Sequence, residues 1–438
     1  VTLSVGGSSL KDPDETGALE TEAAASAAAI TPPRNLFRPQ TFKALHYRNF
    51  ALLWGGLLLS NTGTWMQIIA QSLLVLQLTQ NSGVALGIIS FAQASPFLIF
   101  ALVGGGVADR VDKRRLLLAT QSLQIVYAFV LGILTVTGLV QFWHIVALSV
   151  LVGVTLSFDQ PTRFALIPSL VPREDLSNAI SLNTIVFNGA AVVGPALGGA
   201  LVMVIGYAGI FFVNGFSYVA VLIALLLMRL PPIISSTSTS LFRAIRGGLT
   251  RILHDRLLAK LLVNYGSLLF FASTYTILLA LFAVTELGTT PAALGVLYTA
   301  IGVGTIVGSL AVASLGDFRH KGQLLMVSSI SMSLSVIAFS FLHLYWLSFG
   351  LLVVVGAAQA VSSALSITLL QLNAPRNMIG LVMSINTLVI MGIRPLGGFP
   401  FGVLSALIGV SAAIATGAAI ACAISVYLFV ANKRLRSA

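Results

Sequence analysis

From Asn49 onward, long apolar stretches alternate with short polar breaks along the chain. Twelve such stretches are read, at 50–76, 84–107, 116–138, 143–163, 178–205, 208–228, 258–284, 292–314, 323–342, 345–371, 378–403 and 408–431. Each reaches the roughly 17–25 residues that cross about 30 Å of hydrocarbon. An open chain in lipid satisfies its backbone hydrogen bonds only as helix, so the pattern predicts an all-α membrane protein with twelve transmembrane helices.

The breaks themselves alternate in charge. Those after the first, third, fifth, seventh, ninth and eleventh stretches hold no Lys or Arg. The others hold Arg110, Lys113, Arg114 and Arg115, then Arg163 and Arg173, then Arg229 with Arg243, Arg246, Arg251 and Arg256, then Arg319 with Lys321, then Arg376. Both ends match this second set, through Arg34, Arg38, Lys43 and Arg48 and through Lys433, Arg434 and Arg436. Cytoplasmic loops carry the Lys/Arg excess, so the expectation is a multi-pass plasma-membrane protein with both termini in the cytoplasm. Residues 1–45 read as a disordered cytoplasmic tail; their first part holds no basic segment ahead of an apolar one, so it is not read as a secretory signal peptide. Residues 46–230 and 258–432 read as two six-helix halves, 231–257 as a cytoplasmic linker ending in a surface-lying amphipathic segment, and 433–438 as a short tail.

Composition then removes the soluble classes. The chain is 57% hydrophobic and 8% charged, against about 25% charged in a soluble domain. Its basic balance, net +11, is explained by the loops and gives no reason to expect a nucleic-acid partner. The lone Cys422 excludes an intrachain disulfide, and five scattered histidines offer no metal site built on adjacent ligands. No cofactor is implied.

The chain repeats itself. A shift of 208 places Ala85-Leu86-Gly87 on Ala293-Leu294-Gly295, Asp109 on Asp317, and Lys113 on Lys321. A shift of 203 places Pro172-Arg173 on Pro375-Arg376 and Ser181 to Thr184 on Ser384 to Thr387. Parallel duplicated halves of this kind are a transporter architecture, with the substrate site between halves near the bilayer midplane.

Three groups of residues stand out. The second break reads Gly105-Gly-Val-Ala-Asp109-Arg110-Val-Asp-Lys113-Arg114-Arg115, and Asp317, Arg319 and Lys321 form a partial copy. Small residues there allow close helix approach, and Asp109 is placed to cap the next helix. The fifth stretch carries Gly189, Gly194, Pro195, Gly198 and Gly199, where the proline removes a backbone bond and the glycines permit tight packing. Ser60, Thr64, Gln67 and Gln71 form one uncharged polar stripe, and Ser177, Ser181, Thr184 and Asn188 another. Such stripes line an aqueous cavity or bond to a neighbouring helix. Trp65, Tyr127, Phe271 and Tyr275 are either apolar walls for a ligand or packed against lipid and protein.

The motif of the second break, its partial copy and the twelve-span layout resemble the major facilitator superfamily over about residues 45–432. Asp112, where many members have Gly, and Leu170-Val-Pro-Arg-Glu-Asp-Leu-Ser-Asn-Ala are similar to its enterobactin-exporter-like, transmembrane secretion effector branch. The resemblance implies that Asp109 and Arg110 belong to a gate on the inner side. It also implies, through Gly194-Pro195, an exporter rather than an importer; Arg394-Pro395 is a similar second-half partner.

Inside the bilayer, charge is sparse. Asp159 and Arg163 lie one turn apart and can pair, and Asp159 could also reach Arg110. Asp159 is also the candidate carrier of a coupling proton, a role that a structural pairing would oppose. Arg394 either faces the cavity or snorkels to an interface, and Glu286 lies at the outer mouth. An enzyme would need an acid–base cluster or nucleophile that this sequence lacks, a sensor would need a soluble output domain, and no phosphate-binding loop points to ATP. The expected function is a monomeric secondary transporter exporting small amphipathic compounds (drug, siderophore or metabolite) against protons, with a facilitator or importer of the same fold as the alternative.

Overall fold

A computed structural model describes residues 42–228, 255–316, 318, 320–374, 382, 385–386 and 389–431, with the side chains of 102, 108–110, 256 and 391 outside that description. The tail before residue 42, the linker 229–254, Asp317, Arg319 and residues 432–438 lie outside the described residues. The helices belong to one compact unit that begins at Ala44.

We number the helices in chain order: α1 Arg48–Leu78, α2 Gly83–Arg110, α3 Lys113–Val136 and α4 Phe142–Leu166. The run Leu176–Leu227 is interrupted at Gly206, which divides it into α5 (176–205) and α6 (207–227). Next come α7, made of Arg256–Ser267, the π-turn Leu268–Ala272 and Tyr275–Thr285, then α8 Pro291–Leu315, α9 Lys321–Phe341 and α10 Tyr345–Asn373. The described part of α11 is the π-turn Val389–Ile393 with Arg394–Leu396 and Gly398–Ile408, and α12 is Val410–Val430. Among the described residues, nine helical stretches are long and apolar enough to cross a bilayer, and Arg173–Leu227 contains two of the spans read from the sequence.

Gly206 has φ 68°, a region that favours glycine. The packing of α1 shows that the chain reverses there. Side-chain carbons built at Gly194 and Gly198 would meet Trp65 and Met66, so α5 runs parallel to α1. Those built at Gly56 and Gly63 would meet Val221 and Ser217, so α6 runs antiparallel to it. Gly409, 203 positions after Gly206, has φ 86° and makes the matching turn between α11 and α12. The caps repeat as well: Ser82 accepts from the Ala85 amide at the start of α2, and Thr290 from the Ala293 amide at the start of α8.

The repeat governs how the two sets of helices meet. At the α5–α8 contact, carbons built at Gly295 and Gly199 would run into the carbonyls of Pro195 and Pro291. At the α2–α11 contact, those at Gly87 and Gly402 would stand 2.5 Å from the carbonyls of Gly398 and Gly83. Shifts of 208 and 203 carry each of these pairs onto its counterpart. Hydrogen bonds follow this rule at their acceptors: Thr299 Oγ1 donates to the Val192 carbonyl at 2.8 Å and Ser90 Oγ to that of Pro395 at 3.0 Å, the acceptors 203 apart and the donors one position off the 208 shift. Hydrophobic attraction between helices is weak in lipid, so backbone-close contacts at small residues and interhelical hydrogen bonds supply the cohesion.

Buried apolar side chains divide accordingly. One cluster, including Met66, Leu73, Leu86, Leu278, Phe282, Leu297 and Phe339, draws on both sets of helices. Towards the opposite end there are two separate clusters: one holds Phe50, Leu53, Leu117, Leu182 and Val221, the other Leu258, Leu325, Leu365 and Leu369. The bundle is therefore fused at the end bearing the uncharged breaks and divided towards the end bearing the basic ones.

One local reading is revised. Asp109 does not cap α3, because α2 continues through Arg110 and keeps Asp109 in its own last turn. The cap is Asp112, whose Oδ1 accepts from the Arg114 amide at 2.9 Å and the Arg115 amide at 3.3 Å. Arg114 binds protein: Nε and Nη2 donate to the carbonyls of Leu225 and Leu226, each at 2.7 Å, at the negative end of the α6 dipole.

The crossings predict a graded response. Gly295→Leu or Gly87→Leu should lower transport by roughly tenfold or more, because each side chain needs the space of a facing backbone. A carbon built at Gly189 meets nothing within 4 Å, so Gly189→Leu should be tolerated. Transport normalised to the amount of protein in the membrane tests this, and equal loss in all three variants would reject the crossings as the cause.

Candidate functional site

Below the fused end, between the two sets of helices, lies a cavity of about 560 Å³. Its size is within the usual range for small-molecule pockets. On the α1–α6 side it is lined by Thr64, Trp65, Gln67, Gln71, Gln93, Gln124, Tyr127, Asn188, Asn214 and Tyr218. On the other side the polar lining is Thr276, Tyr298, Thr305, Gln359 and Arg394, among Ile277, Ile301 and Ile390. The surface is thus aromatic, aliphatic and uncharged-polar, with one guanidinium among its described lining residues.

The cavity brings together much of what the stripes indicated. Thr64, Gln67, Gln71 and Asn188 line it, as do Trp65, Tyr127 and Arg394. Ser60 is buried at 2% exposure and Thr184 is exposed, both outside the lining. Tyr275 is buried, and Phe271 packs edge-on against Phe270 and Phe401; neither lines the cavity. The stripes also bond between helices. Thr64 Oγ1 and the Tyr218 hydroxyl are 3.0 Å apart, and Asn214 Nδ2 donates to Gln67 Oε1 at 2.6 Å.

Sequence reasoning missed Gln124, Asn214, Tyr298 and Gln359. Gln121 and Gln124 are three residues apart on α3, with Tyr127 at the next step, and this spacing is the same signal that singled out α1. Asn214 and Tyr218 on α6 are likewise one turn apart.

Asp159 lies beside the cavity and is 0% exposed. Its Oδ1 accepts from Thr120 Oγ1 and Gln121 Nε2, both at 2.7 Å. Its Oδ2 takes no hydrogen bond and meets Arg163 Nε as an ion pair at 2.5 Å. Gln121 touches this carboxylate, and Gln124, one turn along α3, lines the cavity. The close approach of α2 to this turn of α4 falls at Gly104, next to Gly105, where an added carbon would run into the Ser157 carbonyl. The side chains of Asp109 and Arg110, and with them any contact between Arg110 and Asp159, lie outside the described residues. Of the second-half copy, Asp317 and Arg319 lie outside too, while Lys321 Nζ donates to the Phe318 carbonyl at 2.8 Å. Lys113 is the first residue of α3.

Within the glycine-rich run of α5, Gly194 and Gly198 pack on α1, while Gly199 and the Pro195 carbonyl meet α8. Gly189 faces open space. On α11, Arg394 Nη2 donates to Thr276 Oγ1 at 3.1 Å. Tyr298, which lines the same wall, donates its hydroxyl to the Thr276 carbonyl at 2.7 Å. Glu286 meets His343 Nε2 at 3.3 Å at the fused end, with its side chain 31% exposed. Among the described residues no group of three His, Cys, Asp or Glu could hold a metal ion.

Removing one partner of the Asp159 pair strands a charge whose side chain is 1% exposed. Arg163→Gln should therefore cost about 3–5 kcal/mol, visible as a lower unfolding temperature in detergent. Adding Asp159→Asn to it should recover part of the loss. A double variant less stable than Arg163→Gln would show that the pair is not the stabilising unit.

Comparison with known proteins places this geometry. The profile of a family described as transmembrane secretion effector matches residues 40–437. The staphyloferrin A transporter of Staphylococcus aureus (strain NCTC 8325 / PS 47) is 29% identical over 165 residues, 37% of this chain and 41% of the relative, so this match spans less than half of that protein. The enterobactin exporter of Salmonella choleraesuis (strain SC-B67) is 27% identical over 285 residues, 64% of this chain and 67% of the relative. Among solved structures, a bacterial homolog of the human lysosomal transporter Spinster, inward-facing and occupied, superimposes with a TM-score of 0.68. That likeness covers 90% of this chain and 99% of the other at 15% identity, and it shows the fold alone.

Proposed function

The chain belongs to the transmembrane secretion effector family, transporters of the major facilitator fold and not enzymes, and from that premise we propose that it exports small amphipathic molecules from the cytoplasm by proton-driven alternating access. The observation that carries this reading is the cavity between two sets of helices, closed at the end with uncharged breaks and divided towards the basic end. With the basic breaks in the cytoplasm, this is the state in which an exporter loads. A lining of Trp65, Tyr127, Ile277 and Ile301 beside amides and hydroxyls suits a cargo with both apolar and polar parts.

In the proposed cycle the crossings at Gly87, Gly199, Gly295 and Gly402 part on the outer side while the inner ends close. Asp109, Arg110 and the segment around Lys113 and Arg114 belong to that inner closure, by the family resemblance. The direction is supported by the Gly194-Pro195 segment, which sits where α5 meets both α1 and α8. The chain works as a monomer, with residues 46–230 and 258–432 as its two moving halves.

Coupling is assigned to Asp159. A proton-driven exporter needs a carboxylate that trades its proton between the two facings. Asp159 is buried between α3 and α4, accepts from Gln121 one turn away from the cavity-lining Gln124, and is held by Arg163. Protonation would remove the charge that holds Arg163 at Oδ2 and weaken the hydrogen bonds that Thr120 and Gln121 donate to Oδ1, and so link proton binding to movement of α3.

Asp159→Asn should abolish uptake of a fluorescent substrate driven by an imposed pH gradient in proteoliposomes, while downhill exchange partly survives. Gradient-driven uptake that persists would move the proton site elsewhere and favour a facilitator. Orientation has its own test in a Cys422→Ser background. Ser82→Cys and Thr290→Cys should react with an impermeant thiol reagent applied outside intact cells, and a cysteine within 235–240 should not. The reverse pattern would invert the topology and the direction of transport.

A further inference from the structure

The cavity contains a cation that the architecture does not need. Arg394 lines it, and at the helix centre an arginine costs roughly 2.5–3.5 kcal/mol on the insertion scale. The repeat gives an internal control. Val192 and Pro395, 203 positions apart, each supply the carbonyl that accepts the hydrogen bond joining the two sets of helices. The preceding residues are therefore equivalent, and they are Ala191 and Arg394. Both line the cavity. An alanine thus suffices at this place for the packing of α5 on α8, so the guanidinium on α11 is there for something besides packing.

Among the described residues no carboxylate is positioned to neutralise it. Among the described lining residues none is Asp or Glu. The described acids lie elsewhere: Asp112 and Asp255 cap helices, Asp159 pairs with Arg163, Glu286 meets His343, Asp175 accepts from the Tyr47 hydroxyl, and Glu174 is exposed on the short turn Arg173–Asp175. Residues 375–388, mostly outside the described residues, contain no acid in the sequence. The hydrogen bond that Arg394 makes is to a neutral hydroxyl, Thr276 Oγ1.

The backbone around this pair is unusual on both sides. A π-turn, Val389–Ile393, immediately precedes Arg394, and another, Leu268–Ala272, precedes the turn that carries Thr276. π-turns are frequent at functional sites, where the extra residue re-aims the side chains that follow. Tyr298 fixes the Thr276 carbonyl, so the hydroxyl that orients Arg394 is itself held.

We propose that this cavity selects amphipathic substrates bearing an anionic group, carboxylate or sulfonate in kind, and that Arg394, oriented by Thr276, is the residue that receives it. The inference rests on the reading above only in taking the cavity as the substrate site. An arginine can present two parallel donors to such a group, while the aromatic and aliphatic walls take the apolar remainder.

A matched pair of dyes isolates the anion. 1-Anilinonaphthalene-8-sulfonate and N-phenyl-1-naphthylamine differ by the sulfonate alone. Binding is read by energy transfer from Trp65, with Trp54, Trp143 and Trp346 replaced by Phe. Phosphatidylcholine nanodiscs are used, so that no anionic lipid competes, and the empty-disc signal is subtracted. The protein should prefer the sulfonate, and Arg394→Gln should lower the ratio of the two affinities by roughly ten- to a hundredfold. Arg394→Lys should restore part of that ratio, and Thr276→Val should lower it less than Arg394→Gln does. An unchanged ratio in Arg394→Gln, or no binding of the sulfonate by the parent protein, overturns the proposal. Export is scored separately, as accumulation of the neutral amine in everted vesicles. Arg394-dependent binding without accumulation would reject export and leave the anion site standing.

Discussion

The four backbone-close crossings at Gly87, Gly199, Gly295 and Gly402 are the constraint from which the rest of the structure follows. Two helix sets in lipid have little hydrophobic reason to adhere, since lipid tails solvate apolar side chains as well as protein does. What holds them is contact made at the level of the main chain, where a glycine lets a carbonyl of the facing helix come into van der Waals range. Such contact is short along the helix. Seated at one end it closes that end, and the chains diverge beyond it. The cavity is the consequence of that divergence, and the two separate apolar cores at the far end are its other consequence.

Because the crossings come in pairs related by the repeat, the closed end has an approximate two-fold symmetry that the sequence already contained. The spans and the break at Gly206 are legible, since each depends on local residue chemistry, whereas the eleventh span runs on to Ile408 and turns at Gly409 rather than at 404–407. The site was half legible. Thr64, Gln67, Gln71 and Asn188 follow from spacing along one helix, but a stripe does not say which neighbour it faces. Ser60 and Thr184 share those stripes and end outside the lining, one buried and one exposed, because the stripe outruns the cavity along the helix. Tyr298 and Gln359 were not legible, being single polar residues in apolar runs whose relevance comes only from the meeting of α8 and α10 with the rest. The misplaced cap has a similar cause: Asp109 and Asp112 are both chemically able, and only the length of α2 decides between them.

The duplication is faithful in geometry and not in charge. Thr120 donates to Asp159 in the first half; the positions 208 and 203 later are Ser328 and Ser362, joined hydroxyl to hydroxyl at 2.9 Å. Arg163 corresponds by the second shift to Ser366, which is 0% exposed. The same pair of helices thus carries a buried carboxylate and its counter-ion on one side and three serines on the other. Hydroxyls are enough to bind these helices together, so the charged version adds cost without adding a needed contact. That surplus is the physical ground for giving Asp159 a part in the transport cycle.

The cavity charge inverts this arrangement. The first half keeps its ion pair out of the lining and offers Ala191 where the second half offers Arg394. A paired charge inside one half can move with that half and answer to a proton without touching cargo. The one guanidinium among the described lining residues is placed to answer to whatever enters. In the proposed cycle, dividing the two tasks between halves would let each be coupled to the same rocking motion through different helices, α3 and α4 for the carboxylate, α11 and α7 for the arginine. Symmetry in the crossings makes the motion possible, and asymmetry in the charges gives it something to couple.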